Sequence, residues 1–149
     1  MKTLIVYDSK YGNTKIVADE IGEAIPGEVE VLHASEATTS GLAAADLLVV
    51  GAPTHGAKPS PEIKAFLEEI QPGALDGVRV AAFDTRMTNR LILLFGTAAP
   101  KIDAALRQKG GTPAGKAQGF FVKGGEGPLK DGELERAAAW SRELAGSLE

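Results

Sequence analysis

Apolar positions recur along this chain in two rhythms. Residues 3–7 (Thr-Leu-Ile-Val-Tyr), 46–51 around Leu-Leu-Val-Val, 78–83, and 118–123 around Phe120, Phe121 and Val122 are short apolar runs rich in β-formers, bounded by polar, glycine or proline residues. Runs of that length and composition predict buried parallel strands. Residues 28–32 alternate apolar and polar after the breaker Pro26-Gly27 and predict a further strand. Between the strands the spacing changes to that of a helix face. Val17, Ile21, Ala24 and Ile25 share one face, and Ile63, Phe66, Leu67 and Ile70 share another. Residues 98–109 form a third helix, closed by Gly110-Gly111, and residues 131–148 a fourth, with Leu134, Ala138, Ser141 and Leu144 in line and Trp140 on the flank as packing. Ser60-Pro61-Glu62 is a helix start: a capping serine, a proline at the first helical position and an acid in the first turn. Residues 34–45 are small and polar, with a short helix expected near 39–44, and the apolar 91–95 fits either a helix or a packed loop.

Five strands alternating with helices, without an internal repeat or linker, predict one α/β domain over 1–149, with helices on both faces of a parallel sheet. Ligands of such sheets sit beyond the carboxyl ends of the strands. Three polar loops follow strands one, three and four and so share that edge. The first, Ser9-Lys10-Tyr11-Gly12-Asn13-Thr14, joins a strand directly to a helix. Helix-start N–H groups lack internal partners and the dipole there is positive. With the hydroxyls of Ser9 and Thr14, the amide of Asn13 and the bare backbone of Gly12, the loop makes a cradle for a phosphate. It is neither a G-x-x-x-x-G-K-[ST] loop nor a G-x-G-x-x-G loop, so a phosphate here is held and not transferred. The same residues also read as an ordinary turn with a helix cap at Asn13 or Thr14.

Composition narrows the classes. The 149 residues are 44% hydrophobic with a net charge of −4, enough for one core and without the basic stripe of a nucleic-acid binder. No apolar run reaches membrane-spanning length, and the chain starts on a strand with no signal-peptide pattern, so a cytoplasmic protein is expected. The absence of cysteine excludes disulfides, thiol catalysis and thiolate-bound clusters. With only His33 and His55, a multi-histidine metal site is not expected. His33 reads as a surface residue at the end of a strand. No acid–base pair stands out as catalytic.

Three motifs together resemble the flavodoxins: strand–Ser-Lys-Tyr-Gly-Asn-Thr–helix, Gly-Ala-Pro-Thr-His-Gly after strand three, and Phe-Asp-Thr-Arg after strand four. The ending Glu-Gly-Pro-Leu-Lys-Asp-Gly-Glu-Leu-Glu-Arg-Ala resembles single-domain members, and the likeness covers essentially the whole chain. The resemblance implies a three-layer, doubly wound fold with strand order 2-1-3-4-5 and non-covalent FMN. It places the phosphate on Ser9, Lys10, Tyr11, Gly12, Asn13 and Thr14. Pro53, Thr54, His55, Gly56 and Ala57 would run along the isoalloxazine, and Asp84, Thr85 and Arg86 would approach its pyrimidine edge. There Arg86 would favour the charge of reduced flavin, unless it is solvated or paired with Asp84. Flavodoxins usually set aromatic side chains against the flavin; here the second loop offers only His55. The implied function is electron transfer to partner proteins. A small FMN-dependent NAD(P)H:quinone-type reductase, and a binding or regulatory domain that has lost the flavin, are the alternatives. A receiver-type signalling domain is set aside because strand three ends in Gly51 and not an aspartate.

Overall fold

The computed structural model describes residues 1–54, 58–88 and 96–148. Its strands are β1 (Lys2–Tyr7), β2 (Glu28–His33), β3 (Leu47–Pro53), β4 (Arg79–Met87), β5 (Thr112–Pro113) and β6 (Gln118–Val122). The helices between and after them are α1 (Asn13–Ala24), α2 (Pro61–Glu69), α3 (Ala98–Gln108) and α4 (Glu133–Gly146). The pairings between these strands are all parallel, in the order β2-β1-β3-β4-β5, with β6 also on β4. The expected order 2-1-3-4-5 is therefore present, with its last place shared by two segments. β5 pairs with Arg79 and Val80 at the start of β4, and β6 pairs with Phe83 to Met87 at its end.

The pleat sends alternate side chains to opposite faces, and each face has its own core. Val6, Leu48, Val50, Val80 and Ala82 pack under α2 and α3 with Ile63, Phe66, Ile102 and Leu106. Ile5, Val49, Ala81, Phe83 and Phe120 pack under α1 and α4 with Val17, Ile21, Trp140 and Leu144. Gly51 of β3 lies opposite Phe83, and a Cβ there would land on the Phe83 ring. That glycine makes space for a core aromatic.

Trp140 packs edge-on against Phe83 and Phe120, with ring centroids 6.2 and 6.0 Å away. Its bulk sets which side of α4 faces inward. The buried line is Ala137, Trp140, Ser141 and Leu144: of the expected line, Ser141 and Leu144 are buried, Ala138 is only partly buried and Leu134 is 36% exposed. α4 also closes the outer edge of β6, which would otherwise offer unpaired backbone. Phe121 N–H donates to Glu133 Oε2 at 2.7 Å, Arg136 donates to the Gly119 carbonyl at 3.3 Å, and the Trp140 indole donates to the Lys116 carbonyl at 3.2 Å. The short helix expected near 39–44 is a single 3₁₀ turn, Leu42–Ala44. The apolar 91–95 lies outside the described residues.

Candidate functional site

α1 starts directly behind β1. Gly12 occupies the N-cap position at φ 93°, the left-handed region that glycine enters without steric cost. Its N–H donates to Ser9 Oγ at 2.9 Å, and its carbonyl accepts the Ile16 N–H at 3.1 Å. No side chain caps the helix, so the expected cap at Asn13 or Thr14 does not form. The first-turn amides have no acceptor within the helix. Lys10 lies 5.3 Å from the ring centroid of Tyr11, which is 50% exposed. Asn13 donates from Nδ2 to the Glu126 carbonyl at 3.2 Å. Thr14 is buried, with its hydroxyl 2.8 Å from the hydroxyl of Thr85.

β4 runs on through Asp84, Thr85 and Arg86 to Met87, where the sequence pattern had placed a loop. Polar residues continue the strand because each finds a partner. Asp84 and Arg86 fall on the α3 face and Thr85 on the α1 face, two residues apart in the pleat. Asp84 is fully buried, and its carboxylate accepts Arg86 Nε at 2.6 Å, Arg86 Nη2 at 2.9 Å and the Ala99 N–H at 2.7 Å. Of the states expected for Arg86, the structure has the pair with Asp84. The guanidinium lies across Gly119 of β6, where a Cβ would meet it. Thr54 donates its N–H to the Thr85 carbonyl at 3.0 Å, and its Oγ1 accepts the Ala98 N–H at 3.2 Å. The start of α3 is thus closed by the protein's own acceptors, whereas the start of α1 is open. Pro53 is half-buried at the end of β3. His55, Gly56 and Ala57 lie outside the described residues.

Two features of this edge escaped the sequence reading. The loop after β6 is a fourth wall: Glu126 holds Asn13, Gly127 packs against the Asn13 amide, and Lys130 Nζ donates to Thr88 Oγ1 at 2.9 Å. The signal was its position, since every loop after a parallel strand emerges at the same edge. The second feature is His33, which is tied in and not free. Its Nε2 lies 2.9 Å from Asp8 Oδ1, its Nδ1 accepts the Ser35 N–H at 3.1 Å, and its ring meets Tyr7 edge-on. With Nδ1 accepting, neutral His33 carries its proton on Nε2 and donates it to Asp8. Burial works to raise the Asp8 carboxyl. Contacts from Ser60, His33 and the Ser9 backbone, with the field of His33, outweigh burial and hold it below the usual aspartate range. Ser60 is buried at the start of α2, and its Oγ has no other partner among the described residues. Among the described residues no cluster of three or more His, Asp or Glu side chains is placed to hold a metal, and no helix is long and apolar enough to cross a membrane.

Residues 4–125 match the family model described as Flavodoxin domain (Flavodoxin_5). A curated relative, "Flavodoxin" of Aquifex aeolicus (strain VF5), is 35% identical over 91 residues, which are 56% of this chain and 49% of that protein. The match thus spans about half the length of that relative. Among solved structures, oxidised Flavodoxin 2 of Bacillus cereus superposes with a TM-score of 0.84 at 22% identity, covering 98% of this chain and 99% of that one. Oxidised Flavodoxin 1 of Bacillus cereus gives 0.81 at 21% identity over 98% of each chain. The two-electron reduced flavodoxin of Megasphaera elsdenii gives 0.73 at 22% identity, covering 97% of this chain and 98% of that one. At these identities the superpositions speak for the fold.

Proposed function

Because the chain belongs to the flavodoxin family, we propose that it binds FMN without a covalent bond at the carboxyl edge of its sheet and carries electrons between partner proteins. The observation that carries this reading is the contrast between two helix starts on that edge. The first amides of α3 are taken up by Thr54 and Asp84. The first amides of α1 stand open behind a loop of small and hydroxyl residues. An anionic group meets aligned N–H donors and a positive dipole end at α1, and a buried carboxylate at α3. The donor set fits a phosphate monoester: backbone N–H at Asn13 and beyond, the Ser9 hydroxyl, and Lys10 at the rim.

In this reading FMN supplies the redox chemistry, and the chain supplies binding and electrostatics. Ser9, Lys10, Tyr11, Gly12, Asn13 and Thr14 form the phosphate end. The family resemblance would give the second loop, Pro53, Thr54, His55, Gly56 and Ala57, to one side of the ring, next to the end of β4. No residue of this edge is needed as a catalytic acid or base for outer-sphere electron transfer, which favours the carrier over a reductase. The test is titration of the flavin-free protein with FMN, riboflavin and inorganic phosphate, followed by flavin fluorescence and calorimetry. FMN should bind more tightly than riboflavin, and phosphate should compete with FMN. A protein that takes up neither flavin refutes the proposal.

A further inference from the structure

Thr85 occupies the position that the family resemblance assigns to the pyrimidine edge of the flavin, yet its side chain points elsewhere. On β4 the pleat sends Asp84 and Arg86 to the α3 face and Thr85 to the α1 face. There its hydroxyl meets that of Thr14 at 2.8 Å, across 71 positions of sequence. Both residues are buried, at 7% and 1% exposure, so water competes little for this bond. Among the described residues the Thr85 hydroxyl has no other partner. The Thr85 backbone is held in turn, its carbonyl accepting the Thr54 N–H at 3.0 Å. Thr85 is therefore a fixed point on the sheet. Thr14, the second residue of α1, is fastened to it exactly where the open amides begin.

We infer that Thr85 is a positioning residue for the phosphate end of the site: acting through Thr14, it sets where the first turn of α1 stands relative to the sheet. This rests on the FMN reading above and deepens it. A buried hydroxyl pair has few alternative geometries, because losing either partner leaves the other unsatisfied. Oriented donors serve an anion only when held in place, so a slack first turn weakens phosphate binding without touching the ring end. Had Thr85 faced the pyrimidine edge, its loss would fall on FMN and riboflavin alike, since both carry the same ring.

The experiment is titration of flavin-free wild type, Thr85→Val, Thr85→Ser, Thr14→Val and the Thr14→Val/Thr85→Val double variant with FMN and with riboflavin, alongside urea unfolding of the flavin-free proteins. Valine keeps the shape of threonine and removes the hydroxyl. Thr85→Val should weaken FMN about 3- to 10-fold, the loss of one ordinary hydrogen bond, and leave riboflavin within about twofold. Thr85→Ser, which keeps the hydroxyl, should restore the preference for FMN. The double variant should lose no more FMN affinity than Thr14→Val alone, and its urea midpoint should show the same non-additivity. Equal losses for both flavins in Thr85→Val, or losses that multiply in the double variant, overturn the inference while the FMN reading stands. A wild type that binds neither flavin overturns both.

Discussion

Removing Arg86 tests whether β4, α3 and β6 are joined at the site by one buried carboxylate. In Arg86→Met the side chain keeps its length and loses the guanidinium. Of its three donors among the described residues, Asp84 then loses the two at 2.6 and 2.9 Å and keeps the Ala99 N–H at 2.7 Å. It is fully buried, and Arg86 is only 18% exposed, so solvent screening is slight. Breaking a buried pair by removing one partner costs about 3–5 kcal/mol. The contact of the carboxylate with the first turn of α3 is present before and after the change and cancels in the difference. In a domain of this size each kcal/mol moves Tm by roughly 2–4 °C, so the midpoint should fall by about 6–20 °C. Urea unfolding of the flavin-free protein reads the same loss as a lower midpoint at unchanged slope. The surface pair Lys15–Asp19, with both side chains about half exposed, is the control: Lys15→Met should leave the midpoint within error. In Asp84→Ala/Arg86→Met the two losses should be strongly non-additive, because no buried charge is left behind. A cost below about 1 kcal/mol for Arg86→Met, or additive losses in the double variant, refutes the reasoning.

Gly119→Ala should cost about 1–3 kcal/mol as an overpacked site, because its Cβ falls on a guanidinium that Asp84 holds in place; denaturant titration should show that cost shrinking in the Arg86→Met background. Gly51→Ala drives a Cβ into the Phe83 ring and should destabilise by a similar 1–3 kcal/mol, with a lowered thermal midpoint as the readout. The Asp8 carboxyl is held below the ordinary aspartate value of 3.8 in the folded protein, so its contribution is fully present above that value. It is lost as pH falls through the lower folded one. Stability measured in urea from pH 5 down to pH 3 should therefore fall less steeply in Asp8→Asn than in wild type.

The regular elements were legible because burial imposes their periods. β1, β3, the helix start at Ser60-Pro61-Glu62 and the face of α2 lie where the pattern put them. The end of β4 was not, because a polar run reads as a loop unless its partners are known. Those partners are Ala99 and Thr14, 15 and 71 positions away. The alternation of Asp84, Thr85 and Arg86 was visible in the sequence; which face carried which ligand-side role was not. β5 left no hydrophobic signal, being two residues long and ending in a proline that has no ladder donor to offer. The buried line of α4 was misread because an aligned Leu134 looked like a better core residue than a flanking Trp140. The aromatic trio of Phe83, Phe120 and Trp140 settles that competition across three elements.

The candidate site follows the same division. The sequence offers one loop as an anion cradle, but all four described helices begin near this edge, and propensity treats their starts alike. What separates them is occupancy, a tertiary property. A hydroxyl and a carboxylate from β3 and β4 saturate the opening amides of α3. α4 brings a buried Glu133 in its first turn, already committed to Arg136 and to the β6 backbone. α2 opens with a proline, which has no N–H, next to a Ser60 that faces the Asp8 carboxylate. Each of these three starts carries a negative charge of the protein's own at hand and would repel a second. Among the described residues, α1 alone of the four has neither an acid in its first turn nor a side chain from elsewhere in the chain bonded to its first-turn amides, and its glycine cap leaves the approach to the amides bare. Under the proposed FMN reading, three filled starts among the four described helices leave the fourth for the dianionic phosphate.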